Sequence, residues 1–174
     1  MQDKLLIIIN GVGGVGKDTI VDIVAKHYVV RNVSSVEPFK QLLIAFGIEP
    51  KQQKTPKGRR LLSDLKKAFD EYNNMSTAYL TRELIDFVKQ DQEIMFAHIR
   101  EPEYIAMFKE IAEHFVPVVT LLITGRNDGK VYGNMADDGV MDYHYDAIFK
   151  NDVELKELER RFMEFFKEIL GDET

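Results

Sequence analysis

Short apolar runs alternate along this chain with segments in which apolar residues recur every three or four positions. The apolar and β-branched runs predict about five β-strands, at residues 4–9, 29–36, 93–100, 118–124 and 143–149. The helical spacing predicts helices at about residues 17–27, 39–46, 59–72, 76–90, 102–115 and 154–170. Because strands alternate with helices, the pattern predicts a parallel α/β sheet that is covered on both faces.

A glycine-rich segment, GVGGVGKDT at 11–19, lies between the first predicted strand and the first predicted helix. Glycines allow consecutive backbone N–H groups to point inward at an anion, and the helix adds the positive end of its dipole. The spacing matches a phosphate-binding loop (P-loop, or Walker A motif) up to its last position, with Lys17 reaching the outer phosphates. The predicted nucleotide-binding residues are Gly13, Gly14, Val15, Gly16, Lys17, Asp18 and Thr19.

Two other interpretations of this segment stay open. Gly11, Gly13 and Gly16 also satisfy the dinucleotide-binding fingerprint, and Glu37 lies about 20 residues further on, where a ribose-binding acid would be. An incidental glycine-rich turn is the third reading. The P-loop is favoured because a lysine after the last glycine has a clear role beside a triphosphate, and because the chain offers no second domain for a hydride acceptor.

The connection between the second and third predicted strands is long. It holds roughly 56 residues, 37–92, whereas a minimal crossover needs about a dozen. We expect an all-helical insertion that houses an acceptor-binding element, with its least regular part at 48–60. In its helix at 59–72 the residues expected to face inward are Leu61, Leu62, Leu65, Ala68 and Phe69.

Composition narrows the possible partners. The 174 residues suffice for a single domain, 1–174, and a net charge of -6 does not suit nucleic acid. There are no cysteines, which excludes disulfides and fits a reducing compartment. The first apolar run is five residues long, too short for a signal peptide or membrane span. We therefore expect a cytoplasmic protein without nucleic-acid or membrane partners, and leave its oligomeric state open.

The order of these elements resembles the nucleoside-monophosphate-kinase branch of the P-loop kinases. The likeness is strongest to the tailed-phage deoxynucleoside monophosphate kinases and the animal-type phosphomevalonate kinases. It is carried by Gly16-Lys17-Asp18, by Arg100 just past the third strand, and by the segment from Tyr145 to Val153. The resemblance implies a three-layer P-loop NTPase fold with a roughly five-stranded parallel sheet, the helical acceptor-binding insertion at 37–92 and a lid loop at 125–140. It also implies ATP as donor, Mg²⁺ and a phosphorylated small-molecule acceptor.

One position departs from that family. Its members have Asp-x-Arg at the end of the third strand, where this chain has His98-Ile99-Arg100. A kinase that phosphorylates a hydroxyl generally places a carboxylate there as base, whereas a phosphate monoester is already an anion. The histidine therefore favours a phosphate acceptor or a weakened enzyme, and a packed structural histidine is the alternative.

Asp18 occupies the position where many P-loop proteins have a hydroxyl that holds Mg²⁺. We predict a magnesium-linked role for Asp18 and a phosphate contact for Thr19. Asp18 could also simply stabilise the first turn of the helix, where an acidic residue is common.

A basic stretch at 51–67 contrasts with the acidic remainder of the chain. Its cations are Lys51, Lys54, Lys57, Arg59, Arg60, Lys66 and Lys67, against the single acid Asp64. Arginine grips a phosphate through two hydrogen bonds, so we predict that Arg59 or Arg60 binds the acceptor phosphate, pointing inward beside Leu61 and Leu62. A solvated helix face is the alternative.

Further cations lie near predicted strand ends. Arg100 is predicted to contact phosphate at the carboxyl edge of the sheet, with an ion pair to Glu101 or Glu103 as the alternative. The resemblance implies that Arg126 stacks on adenine or touches donor phosphates, although a simple loop charge is nearly as well supported. The loop at 125–140, with Lys130, is predicted to close as a lid.

Asn151 and Asp152 follow the last predicted strand. They could border the adenine pocket, or Asn151 could form a capping box with Glu154 at the start of the last helix.

Taken together, the sequence predicts an ATP-dependent phosphotransferase that moves the γ-phosphoryl group to a (deoxy)nucleoside monophosphate, with Lys17, Arg100 and Arg126 at the reaction centre. Two alternatives remain: a P-loop kinase of another phosphorylated metabolite such as phosphomevalonate, and a nucleotide-binding protein without transferase activity.

Overall fold

A computed structural model describes residues 4–125 and 139–171. The strands are β1 (Leu5–Asn10), β2 (Val30–Ser34), β3 (Ile94–His98), β4 (Val118–Gly125) and β5 (Ala147–Asn151). They form one five-stranded sheet in the order β2-β3-β1-β4-β5, and every neighbouring pair is parallel. The predicted parallel sheet is confirmed.

Seven helices connect or follow these strands within the described residues. They are α1 (Lys17–Val24), α2 (Glu37–Ala45), α3 (Pro50–Gln53), α4 (Pro56–Asn73), α5 (Met75–Lys89), α6 (Pro102–Ala112) and α7 (Leu155–Leu170). A short 3₁₀ turn, Val140–Asp142, precedes β5. Helices α1 and α7 pack on one face of the sheet and α5 and α6 on the other, which gives the predicted three-layer arrangement.

The central strand β1 holds the layers together, because successive side chains of a strand point to opposite faces. Ile7 and Ile9 belong to the core that includes Phe162 and Phe166 of α7. Leu6 and Ile8 belong to the opposite core, with residues of α5 and α6. All six residues of β1 are buried, as expected of a strand covered on both sides.

The carboxyl ends of the strands meet at one edge of the sheet, since all strands run in the same direction. The last residues of the strands are Asn10, Ser34, His98, Gly125 and Asn151. Strand β1 lies between β3 and β4. The chain forms β2 and β3 on one side of β1 and then crosses to form β4 and β5 on the other side. In open α/β sheets, ligands bind in the crevice at such a point.

The insertion between β2 and β3 is helical, as predicted, but more regular than expected at 48–60. Pro50 and Pro56 each occupy the first turn of a helix, after Glu49 and Thr55. Proline is tolerated there because the N–H it lacks would have no intrahelical partner. The expectation of an irregular segment at 48–60 is therefore wrong, because both prolines start helices.

The inward face of α4 was predicted correctly only in part, because Leu62, Leu65 and Phe69 are half-buried but the other two predicted residues are not. Leu61 is 41% exposed and Ala68 is exposed, while the buried residues of α4 are Gly58, Lys66 and Asp70. This helix packs against the domain through both apolar and polar groups: the ring of Phe69 lies 5.7 Å from that of Phe39, and the charged side chains of Lys66 and Asp70 are buried in the same helix.

The capping box between Asn151 and Glu154 is also wrong. Asn151 is the last residue of β5, and Glu154 itself is the residue that precedes α7.

Most of the predicted lid at 125–140 lies outside the described residues; only Gly125, Gly139 and Val140 fall within them. Among the helices of residues 4–125 and 139–171, none is long and apolar enough to cross a membrane.

Candidate functional site

The glycine-rich segment forms a tight loop between the end of β1 and the start of α1. Val15 N donates to Val12 O at 3.3 Å, and Gly14 and Gly16 have φ angles of 78° and 102°. These φ values lie in the left-handed region that favours glycine. The backbone therefore curls as a phosphate-binding loop requires, and α1 begins immediately after Gly16.

Lys17 is half-buried at the first position of α1, and its ammonium group lies against the loop. The Nζ atom donates to the carbonyl oxygens of Gly11 and, at 3.1 Å, of Val12. A positive charge is thus held beside the loop that the sequence predicts to bind phosphate.

Asn10, which is fully buried at the end of β1, connects the loop to two other parts of the edge. Its Oδ1 accepts from Gly11 N at 2.8 Å, and its Nδ2 donates to Arg100 O at 3.0 Å and to the hydroxyl of Tyr145 at 2.8 Å. The Tyr145 hydroxyl in turn donates to Val140 O at 2.7 Å. Burial raises the pKa of Tyr145 to about 12, so the hydroxyl keeps its proton.

Asn151 supports the loop from the other side. The side chain is buried at the end of β5, and its Nδ2 donates to Val15 O at 2.8 Å. Its Oδ1 is buried without a hydrogen-bond partner among the described residues. The sequence predicts Asn151 beside adenine or in a helix cap, and this contact with the P-loop was not predicted.

His98 ends β3 and hydrogen-bonds through Nε2 with Asn32 Oδ1 at 2.9 Å. Burial lowers the pKa of His98 to about 4. The positive charges of Lys17, Lys40 and Arg100 lower this pKa further, and the negative charge of Asp18 opposes them. The imidazole is therefore neutral near pH 7.

Four charged residues at this edge of the sheet lie close enough to His98 to shift its pKa. Lys17 and Asp18 come from the start of α1, Arg100 from the end of β3 and Lys40 from α2. Lys40 was not predicted as a site residue; its Nζ lies 3.5 Å from Glu37 Oε2. Its role could have been predicted from its position, because it lies in the first turns of the helix after β2, close to the carboxyl edge of the sheet.

Asp18 is exposed and Thr19 is half-buried, both in the first turn of α1. No cluster of three or more His, Cys, Asp or Glu residues that could hold a metal occurs in the described part of the chain. Mg²⁺ in phosphoryl-transfer sites uses one or two protein ligands together with substrate phosphates and water. Asp18 and Thr19 fit such a partial ligand set.

Arg59 and Arg60 are both exposed near the start of α4, so the expectation that one of them points inward is wrong. Arg60 Nε lies 3.8 Å from Asp64 Oδ2 in a pair that is mostly exposed. Both arginine side chains are exposed to solvent, and their role in binding the acceptor stays a prediction.

Lys66 does not belong to a solvated basic face. Its side chain is only 3% exposed, and its Nζ lies 2.8 Å from Asp70 Oδ2 and 2.9 Å from Glu101 Oε1. Glu101 therefore pairs with Lys66. Arg100 is exposed at the carboxyl edge, and Arg126 and Lys130 lie outside the described residues.

No protein-family model matches this chain, and no curated protein matches its sequence. Several solved structures are similar. Shikimate kinase from Aquifex aeolicus vf5 is 12% identical, with a TM-score of 0.51 over 95% of this chain and 99% of that one. Shikimate kinase from Bacteroides thetaiotaomicron is 14% identical, with a TM-score of 0.51 over 97% and 98%. TT1252 from Thermus thermophilus is 18% identical, with a TM-score of 0.50 over 99% of both chains. At these identities the similarity concerns the fold alone, which this chain shares with both shikimate kinases.

Proposed function

We propose that this protein is an ATP-dependent phosphotransferase that moves the γ-phosphoryl group to a (deoxy)nucleoside monophosphate. The observation that carries the proposal is the ammonium group of Lys17 on the carbonyl oxygens of Gly11 and Val12, within a P-loop at the carboxyl edge of the sheet. Arg100 and the neutral His98 act at the same edge.

On the donor side, the backbone N–H groups of the loop and the start of α1 would hold the triphosphate. When polyphosphate binds, the ammonium group of Lys17 would exchange its carbonyl partners for phosphate oxygens. Such transfer depends on positioning and charge neutralisation more than on covalent help. Lys17, Lys40 and Arg100 supply positive charge for this purpose.

The end of β3 favours an acceptor that is already a phosphate. A hydroxyl acceptor needs a base to take its proton, and the end of β3 carries His98 instead of the family's carboxylate. A phosphate monoester is an anion near neutral pH and needs no base, but it does need cations to hold it. The helical insertion, α2 to α5, provides walls for such a molecule, and its exposed Arg59 and Arg60 are candidate contacts.

Mg²⁺ would neutralise charge on the phosphates when bound with ATP. Asp18 and Thr19 are the residues that would hold it, directly or through water. Their place in the first turn of α1, next to Lys17, supports this assignment.

Two other functions remain compatible with specific residues. A kinase of another phosphorylated metabolite, such as phosphomevalonate, would use the same donor site, and its acceptor would likewise need no base. A nucleotide-binding protein without transferase activity is favoured by His98, which replaces the carboxylate expected at the end of β3. It is also favoured by Asp18, which stands where many P-loop proteins have a hydroxyl.

The experiment is an acceptor panel with the full chain, ATP and Mg²⁺, measured as ADP formation. The panel contains dAMP, dCMP, dGMP, dTMP, phosphomevalonate and shikimate, and Lys17→Met serves as the inactive control. We expect transfer to at least one deoxynucleotide, no transfer to the hydroxyl acceptor shikimate, and a loss of roughly two orders of magnitude or more in Lys17→Met. ATP binding without transfer to any acceptor would favour the non-transferring alternative, and preference for phosphomevalonate would favour the other kinase.

A further inference from the structure

A buried cluster of charged side chains joins the helical insertion to the end of β3. The Nζ atom of Lys66 on α4 lies 2.8 Å from Asp70 Oδ2 and 2.9 Å from Glu101 Oε1. It also lies 4.3 Å from the centre of the Tyr104 ring. Asp70 accepts two further hydrogen bonds, from the N and Oγ of Ser76 at 2.7 and 2.8 Å. The cluster therefore connects α4, α5 and α6.

Stability alone does not account for this cluster. Removing charges from water is costly, and replacing a buried ion pair by apolar residues is often neutral or stabilising. What directional, charge-assisted bonds add is a defined geometry at their end points. Here the end point is Glu101, whose second oxygen, Oε2, is buried without a hydrogen-bond partner among the described residues. The side chain is thus held by its bond to Lys66.

Glu101 directly follows Arg100, and this dipeptide is fastened on both sides. Asn10 Nδ2 donates to Arg100 O at 3.0 Å, while Asn10 Oδ1 accepts from the first P-loop N–H, that of Gly11. On the other side the Glu101 carboxylate is held by Lys66 of the insertion. The segment that carries the Arg100 guanidinium is therefore tied to the donor loop and to the predicted acceptor-binding helices.

We propose that Lys66 and Glu101 are positioning residues, which hold the Arg100 segment in register with the helical insertion so that Arg100 meets the phosphate of the acceptor. This inference rests on the proposed function. It assigns Lys66 to a role different from the phosphate contact that a basic stretch suggests, because the ammonium group is buried and already surrounded by two carboxylates and a ring.

The test uses Glu101→Ala, which removes the contact between Lys66 and the segment that carries Arg100. The hydrogen bonds that Asp70 accepts from Lys66 and Ser76 are kept. The Glu101 side chain caps no N–H of α6, so its loss does not uncap that helix. With ATP and the deoxynucleoside monophosphate that the wild type uses best, we expect kcat/KM for the acceptor to fall about tenfold or more. The KM for ATP should stay within about twofold, since the P-loop keeps its bonds to Asn10.

Two further variants separate positioning from general packing. Glu101→Gln keeps an oxygen that can accept from Lys66, and it should restore most of the acceptor kcat/KM. Glu103→Ala is the matched control, an exposed glutamate two residues away in the first turn of α6, and it should behave as the wild type.

Hydrogen exchange of the segment 99–104 gives a readout that does not depend on turnover. Faster exchange in Glu101→Ala, with unchanged exchange at 11–17, is the expected result. Equal exchange and equal kinetics in Glu101→Ala and Glu103→Ala would overturn the positioning role, as would matching losses for ATP and acceptor. If the wild type transfers no phosphate to any acceptor, the proposed function fails, and the exchange experiment still decides whether Glu101 holds this segment.

Discussion

Gly16 and Asn151 approach so closely that a Cβ atom on Gly16 would lie 2.5 Å from Asn151 Nδ2. That nitrogen already donates to Val15 O at 2.8 Å. The last residue of β5 therefore forms a wall of the P-loop, and it leaves room at position 16 only for glycine. The shape of the phosphate-binding loop depends on a side chain far away in the sequence.

Gly16→Ala should weaken ATP binding by at least about tenfold and lower thermal stability. The variant would carry both the strain of a φ of 102° and the clash with Asn151. Gly47→Ala is the matched control, because Gly47 has a φ of 79° and open space around it. It should show only the backbone cost, about 1–2 kcal/mol. Thermal unfolding and ATP titration of both variants measure the difference, and equal losses would contradict a steric role for Asn151.

Asn151→Ala should lower ATP affinity because Val15 O loses its donor and the loop loses a support. A buried acceptor left without a partner costs about 1–3 kcal/mol, so stability should also fall by that order. Asn151→Asp should be worse than alanine, since a carboxylate cannot donate to a carbonyl oxygen and would be buried. Lys150→Ala, at an exposed neighbouring position of β5, is the control. ATP affinity equal to that of the control would remove Asn151 from loop support.

The stability of the fold should depend on His98 between pH 6.5 and 4. The folded-state pKa of about 4 lies below the ordinary value of 6.5, so in this range the unfolded chain binds a proton that the folded chain does not. The stabilisation is complete above pH 6.5 and is lost as the pH falls toward 4, by about 3 kcal/mol. Denaturant unfolding at several pH values measures this loss.

His98→Asn should flatten the pH dependence of stability in that window, because asparagine has no proton to gain. The exposed His114→Asn is the matched control and should retain the wild-type slope. A His98→Asn protein with an unchanged slope would mean that the pH dependence comes from another group, one whose pKa differs between the folded and unfolded states. The pH profile of wild-type transfer activity should likewise show no step from the ionisation of His98 between pH 6.5 and 9.

Arg59→Ala and Arg60→Ala test the predicted acceptor contacts. At least one of them should raise the KM for the acceptor about tenfold while the KM for ATP stays unchanged, because a lost charge-assisted hydrogen bond is worth about 1.5–3 kcal/mol. Arg160→Ala on α7, an exposed arginine paired with Glu157 and Glu164, is the control. If both variants keep the wild-type acceptor KM, the basic stretch is a solvated face.

Features decided by neighbouring residues could be predicted from the sequence. The first four strands, the curled loop at 11–16 and the helix that follows were predicted at nearly their observed places, whereas the fifth strand begins four residues later than predicted. Local residue types are sufficient there, because glycine permits the left-handed turns and an apolar β-branched run permits a buried strand. The number and direction of the strands followed from their alternation with helices.

Features decided by contacts between distant segments could not be predicted. Asn151 and Val15 are 136 positions apart, and the pattern around Asn151 indicated a helix cap. The sequence around Lys66 indicated an exposed cation, but in the structure Glu101 at the start of α6 lies beside it. Lys40 is a neighbour of His98 only because of how α2 packs. A residue type states what a side chain can bind, but burial and partners depend on which remote segment packs against it. The charge pattern of the sequence therefore indicated phosphate chemistry. Only the tertiary structure distinguished the cations near His98 at the carboxyl edge of the sheet from Lys66, which is buried between two carboxylates.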